Sequence, residues 1–181
     1  MIKKNLLPII LVILVIAVIF VIAINPFNSH TNIHELIEKS LSEQYEEDIK
    51  IKIFETYEVF NYKIIGFTIE ENEKCSFAVL EQDGDLKYKL IRLDKYEKLL
   101  KRGLDIYVQY IDLYNDNLEL DNYMIVLSMN AELSKIEKSL NDGKPTYYNI
   151  ASSPSMTVLK FPMEASEVQY IFYDRLGNEI R

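Results

Sequence analysis

Tyr62-Lys63-Ile64-Ile65-Gly66-Phe67-Thr68-Ile69, then Ser76 to Glu81, then Asp83-Gly84-Asp85 and Leu86 to Leu93, decide the fold. Each segment is rich in β-branched, aromatic or leucine residues, and Asp-Gly is a strong turn signal between two such runs. In the last segment Leu86, Tyr88 and Leu90 alternate with Lys87 and Lys89, the period of a strand with one wet face. Just upstream, Ile49, Ile51 and Ile53 alternate with Lys50 and Lys52. Four consecutive strands with short links predict an antiparallel meander.

The segment ahead of the meander reads as a helix. Asn32 caps it, Glu35 stands three residues on as in a capping box, and Ile33, Leu36, Ile37, Leu41 and Tyr45 recur at helical spacing. The helix is expected from Ile33 to Tyr45, its apolar stripe on the sheet. After the meander, Asp94 offers a second cap, with Glu97 three residues on. Tyr96, Leu99 and Leu100 share a face, and Gly103 is a stop, so a short helix is expected there.

Beyond residue 103 the pattern is mostly β. Leu104 to Tyr114 alternates, with Ile106, Val108 and Tyr110 on one side and Tyr107, Gln109 and Ile111 on the other. Asn115 to Asn122 is a polar loop. Tyr123 to Met129 is almost continuously apolar, as in a strand covered on both faces. Ala131 to Leu140 is ambiguous. Leu133, Ile136 and Leu140 fit a helical stripe, yet Asn141-Asp142-Gly143 is a hairpin signal before Thr146 to Ile150, which favours turn and strand. Met156 to Phe161 and Val168 to Asp174 complete the strands.

Residues Leu6 to Ile24 form an uninterrupted apolar run behind Lys3 and Lys4. A helix needs about 20 apolar residues to cross a bilayer, and basic residues before the span hold the amino terminus inside. The run therefore predicts a single-pass anchor with a cytoplasmic tip. Its length favours an anchor over a cleaved secretory signal ending near Ala23. The fold class expected is thus α+β: a cytoplasmic tip and transmembrane helix (1–27), a helix-plus-antiparallel-meander part (28–103) and a mostly β, sandwich-like part (104–181). The last two are either separate or one domain.

The chain has 20 basic and 28 acidic residues; with Lys3 and Lys4 set aside, the outer part holds 18 basic against 28 acidic, a net of −10. Such a surface repels phosphate polymers and anionic lipids, so nucleic acid is not an expected partner. A lone cysteine, Cys75, means no internal disulfide; in its strand-like setting it reads as a buried small apolar residue. Tyrosine is abundant at 13 and tryptophan absent, which argues against a sugar groove paved with indoles.

Candidate chemistry is sparse. His30 and His34 are four apart, with Glu35 and Glu38 nearby, but His30 precedes the cap, so a shared metal is not expected. Asn115 to Asp121 alternates oxygen-bearing side chains. It lacks the EF-hand glycine and closing Glu, leaving weak calcium binding open beside an ordinary turn. A Cys75–His34 pair has no local signature, and there is no Gly-x-Ser-x-Gly elbow and no glycine-rich phosphate loop. Lys95, Lys98, Lys101 and Arg102 read as the solvated face of the second helix. No catalytic, cofactor or metal residue is assigned.

Ser153-Pro154-Ser155-Met156-Thr157-Val158, Phe161-Pro162, Ile64-Ile65-Gly66-Phe67 and the ending Phe172-Tyr173-Asp174-Arg175-Leu176-Gly177-Asn178-Glu179-Ile180 carry a resemblance. Together with the anchor, they resemble small uncharacterised membrane-anchored extracytoplasmic proteins of low-GC Gram-positive, often spore-forming, bacteria. The resemblance implies location and architecture and brings no activity. The expectation is a non-enzymatic binding or scaffolding module at the cell envelope, held in the membrane by Leu6 to Ile24 and meeting an envelope protein. Leu104–Tyr114 and Tyr123–Met129 are the strands expected to present an edge or face. The alternative is a wall-associated hydrolase or a metal-dependent enzyme without a recognised motif.

Overall fold

The computed structural model describes residues 32–69, 74–85, 87–95, 97–98, 105–141, 143–161 and 167–180. The apolar run and His30 lie outside them, and among the described residues no helix is long and apolar enough to cross a membrane. The described residues are mostly β, with antiparallel sheets and one short helix.

Helix α1 (Ile33–Tyr45) begins where the capping signal put it: Asn32 Oδ1 accepts the amides of His34 and Glu35 at 3.1 and 3.4 Å. It ends at Glu46, which is left-handed with φ 57°. Two side chains of α1 then catch the returning chain. Ser42 Oγ accepts Ile49 N at 3.0 Å and Glu38 Oε1 accepts Ile51 N at 3.0 Å, setting the helix against the first strand.

The first sheet is the expected meander of β1 (Ile51–Val59), β2 (Tyr62–Ile69), β3 (Lys74–Gln82) and β4 (Tyr88–Leu93), all antiparallel. The second half of β1, Phe54 to Val59, extends the alternation expected only to Ile53. A bulge explains why: Ile53 pairs with Phe67 and Glu55 with Gly66, leaving Phe54 as the extra residue.

The expected helix after Asp94 is corrected by the structure. Glu97–Lys98 form a short strand, β5, paired with β3 through Cys75↔Glu97 and Lys74↔Lys98. β4 covers β3 only from Ala78 to Gln82, so the end of β3 requires another backbone partner. A helix that short is marginal by itself, and the ladder wins. Asp94 is no cap: its carboxylate accepts Arg92 Nη2 at 3.0 Å and the Tyr107 hydroxyl at 2.8 Å. Ser76 Oγ donates to Asp94 O at 2.8 Å and fixes the crossing from β4 to β5.

The second sheet has the order β10-β7-β6, from β6 (Ile106–Tyr114), β7 (Leu120–Ser128) and β10 (Ser155–Phe161). The third has the order β11-β8-β9, from β8 (Leu133–Leu140), β9 (Thr146–Asn149) and β11 (Val168–Asp174). The ambiguous 131–140 segment is therefore a strand. Its false helical stripe comes from a bulge. Lys135 pairs with Tyr173 but Leu133 with Asp174, so Ser134 is extra and Leu133 and Ile136 both turn inward. Ser134 Oγ holds the bulge by donating to Asp174 O at 2.6 Å.

Three cores stack these elements in layers. Leu36, Ile37 and Leu41 of α1 cover Ile65, Phe67, Ala78 and Leu80 on one face of the first sheet. Tyr62, Ile64, Cys75, Phe77 and Val79 on its other face meet Ile111, Ile125, Leu127 and Met156 of the second sheet. The second sheet's far face, with Met124, Val126 and Leu159, packs on Ile136, Tyr148, Tyr170 and Phe172 of the third. The parts before and after residue 103 thus share one buried cluster. Strands β2, β3 and β7 are covered on both faces, which is why their sequences are nearly continuous apolar runs. Fully burying each such side chain is worth roughly 1.5–3 kcal/mol, far more than any surface ion pair of about 0–1 kcal/mol.

Candidate binding groove

The sheets stack with their edges aligned. On one side lie β4, β6 and β11: Arg92 Nη1 of β4 donates to Tyr110 O of β6 at 3.3 Å, and β11 is the edge of the third sheet away from β9. On the other side lie β1, β10 and β9, and there the edges enclose an open cleft of about 430 Å³. Its floor is the edge of the middle sheet at Ser155, Met156 and Thr157. One wall is Glu55 and Tyr57 of β1, and the other is Tyr147, Tyr148 and Asn149 of β9. Tyr57 is 38% exposed and Tyr147 52%, so both rings reach water.

The direction of the floor's backbone follows from two hydrogen bonds. Met129 N donates to Asp105 O at 2.9 Å, continuing the ladder from β7 to β6. Along β7, Leu127 and Ile125 therefore face β6, and Ser128, Val126 and Met124 face β10. Their partners Ser155, Thr157 and Leu159 turn inward to β7. Met156, Val158 and Lys160 turn their amides and carbonyls outward. The second bond agrees: Lys160 O accepts Lys138 Nζ at 2.7 Å from the third sheet. Among the described residues β10 pairs with no strand other than β7. Each edge of the middle sheet thus has one carbonyl held by a cation, Tyr110 O by Arg92 and Lys160 O by Lys138, and the β10 edge borders the cleft at Ser155 to Thr157.

Glu55 is the sole ionisable carboxylate among the cleft's lining residues, and no basic residue joins it. Just outside, on the outer face of the third sheet, Lys135 Nζ lies 5.0 Å from the Tyr147 ring and 4.2 Å from the Tyr173 ring. Tyr173 OH donates to Glu137 Oε2 at 2.7 Å, and that bond pushes the phenol up to about 12. Tyr147, at the rim of the cleft, thus already takes a cation on its outer ring face. Beneath β9, Lys138 is buried against Tyr148, with Nζ 5.7 Å from the ring centroid.

The residues singled out by sequence do not meet in the cleft. His34 Nε2 is 3.1 Å from Ile51 O, and Nδ1 is 3.6 Å from Glu38 Oε1. Cys75 is buried, as its strand-like setting implies, on the opposite face of the first sheet, so the two form no pair. Among the described residues no three His, Cys, Asp or Glu side chains gather as metal ligands. In the 115–121 loop, Asn115 Oδ1 accepts the amides of Asn117 and Glu119 at 2.9 and 3.0 Å, and Asp121 Oδ2 accepts Lys160 Nζ at 2.6 Å. These oxygens hold a hairpin, and β7 begins at Leu120, earlier than the expected loop end at Asn122. Lys98 lies on β5, while Lys101 and Arg102 lie outside the described residues.

Two of the stretches that carried the resemblance have structural roles. Ser153 to Thr157 leads into the cleft floor. Asp174 Oδ1 accepts Leu176 N and Asn178 N, each at 2.8 Å, with Gly177 left-handed at φ 85°. That network also holds the Asp174 carboxyl below its ordinary range. Sequence reading missed Glu55, Tyr57 and Tyr147, because a site made where three strand edges meet has no spacing of its own. One expectation is corrected outright: β7 is the centre of the middle sheet, so Tyr123 to Ser128 presents neither edge nor face. Compared with family models, curated proteins and solved structures, the chain matches none.

Proposed function

We propose that this chain is a single-pass, membrane-anchored extracytoplasmic module that binds a protein partner at the cell envelope and does not turn over a substrate. The observation that carries the reading is the open cleft, whose lining pairs a strand edge with exposed tyrosines. Exposed aromatic rings beside backbone groups that no described strand pairs suit capture of another chain. The uncharged Leu6 to Ile24 run behind Lys3 and Lys4 supports the anchor and its orientation. The excess of acidic residues supports a partner that is not a phosphate polymer. The alternative, a hydrolase or metal-dependent enzyme, needs a nucleophile with a base, or a set of ligands. The cleft's lining brings one carboxylate and hydroxyls without a histidine.

A photo-crosslinking amino acid placed at Tyr57 or Tyr147 of the full chain, in native membranes, tests this reading. Discrete protein adducts are expected there, with none from Ile91, which is exposed on β4 at the opposite edge. Hydrolysis of a wall fragment or peptide by the purified chain, lost when one carboxylate is changed, would replace the binder with the enzyme.

A further inference from the structure

We propose that the cleft takes one extended, basic peptide strand of the partner, which adds to the edge of β10 that no described strand pairs and extends the middle sheet by one strand. This rests on the binding-module reading and specifies its ligand. The first observation is backbone direction: Met156 and Val158 turn their amides and carbonyls away from β7, to the side where no described strand pairs β10, and these are the donors and acceptors that an incoming strand requires.

The second observation is the shape of the slot. Neighbouring strands lie about 4.8 Å apart and stacked sheets about 10 Å apart. A strand laid beside β10 therefore fills the layer between β1 and β9, with alternate side chains directed at the two walls. The same walls stand in the way of a second copy of this chain. Its own β10 is recessed between its own β1 and β9, so two such edges do not meet flat. A slim single strand fits where a folded edge does not.

The third observation is charge and ring chemistry. Toward β1 the incoming side chains meet Glu55 and Tyr57; toward β9 they meet Tyr148, which shares the inner face with Ile136, while Tyr147 borders the cleft from the outer face. Glu55 has no basic residue beside it in the lining, and tyrosine faces attract cations. Lysine or arginine is favoured on the first side, and apolar or aromatic residues on the second. The ligand is thus an extended segment in which basic and apolar residues alternate. Its basic residues complement a chain of net charge −8.

Binding of two capped peptides to the purified full chain tests the proposal. Both match the seven residues of β10 in length, one alternating Lys with Val and the other Glu with Val. The Lys peptide is expected to bind and to slow amide hydrogen exchange at Met156 and Val158, while the Glu peptide does neither. Glu55→Lys is expected to weaken the Lys peptide by about tenfold and to admit the Glu peptide. Val158→Pro removes an outward amide and fills the edge, so it is expected to abolish binding. Because that variant also alters packing, Glu55→Lys carries the decision if Val158→Pro does not fold. Equal binding of the two peptides, or no slowing at Met156 and Val158 with either, overturns strand addition by a basic segment. If either result occurs while Tyr57 or Tyr147 still crosslinks to a protein in membranes, the binding module stands and only this ligand falls. Peptide cleavage in place of binding overturns both.

Discussion

Replacing Gly66 with alanine probes the contact between the first two sheets. Gly66 lies on the face of β2 that meets the second sheet, opposite Glu55 beside the β1 bulge. Its φ is outside the left-handed region, so glycine is not demanded by backbone conformation. Space demands it: a Cβ at this position meets Phe54 Cε2 and Cζ at 3.0 Å and Met156 Sδ at 3.1 Å. The bulge turns Phe54 into the gap, and the missing side chain of Gly66 accommodates its ring. Met156 has a flexible thioether and yields cheaply; the ring is rigid and does not. Overpacking of this kind costs about 1–3 kcal/mol, and loss of glycine's unfolded-state freedom returns about 0.4–1 kcal/mol. Gly66→Ala is therefore expected to destabilise by roughly 1–2 kcal/mol. Chemical denaturation of the full chain reads the loss as a lower midpoint at unchanged slope. A double-mutant cycle identifies the cause. In a Phe54→Leu background, Gly66→Ala is expected to be nearly neutral, a coupling of about 1–2 kcal/mol. Equal loss in both backgrounds would refute the packing argument.

Three other outcomes follow from the same structure. Burial pushes the Tyr170 phenol from 10.0 up to about 12, with Tyr110 and Tyr148 adding to it. The unfolded chain loses that proton first, so stability should hold below about pH 10 and fall between about pH 10 and 12. Tyr170→Phe should reduce the slope of that fall in pH-dependent unfolding. At neutral pH the same change should be neutral or stabilising, because the buried hydroxyl has no hydrogen-bond partner among the described residues. Lys138→Met should cost about 1–3 kcal/mol in denaturation, since it keeps the stem but strands the Lys160 carbonyl that Nζ bonds at 2.7 Å. Protease added to intact, wall-stripped cells should digest the domain after Phe27, whereas protection until lysis would overturn the proposed topology.

Elements governed by local periodicity were legible in the sequence. The helix Ile33–Tyr45, β2 and β11 coincide with their signals, because a cap marks the first and a compact run of β-branched and aromatic residues marks each strand. Bulges hid the rest. Phe54 broke the rhythm of β1, and Ser134 brought Leu133 and Ile136 to the helical interval of three. At Asp94 to Gly103, Tyr96, Leu99 and Leu100 satisfied a helix template, but the bare end of β3 drew Glu97–Lys98 into a ladder. That decision depends on a strand some twenty residues earlier, and no local window contains it. The two-sided burial of β7 was legible in its apolar run, yet its central place in the middle sheet was not. The cleft was the least legible feature, since Glu55, Tyr57, Tyr147 and Met156 come together only through the stacking of three sheets.

Amide hydrogen exchange along β10 of the unliganded full chain tests the free edge most directly. The account predicts alternation: Thr157 and Leu159, bonded to β7, exchange slowly, while Met156 and Val158, whose amides turn away from β7, exchange fast. Uniform slow exchange from Met156 to Leu159 would mean that the edge is already occupied, and would contradict the account.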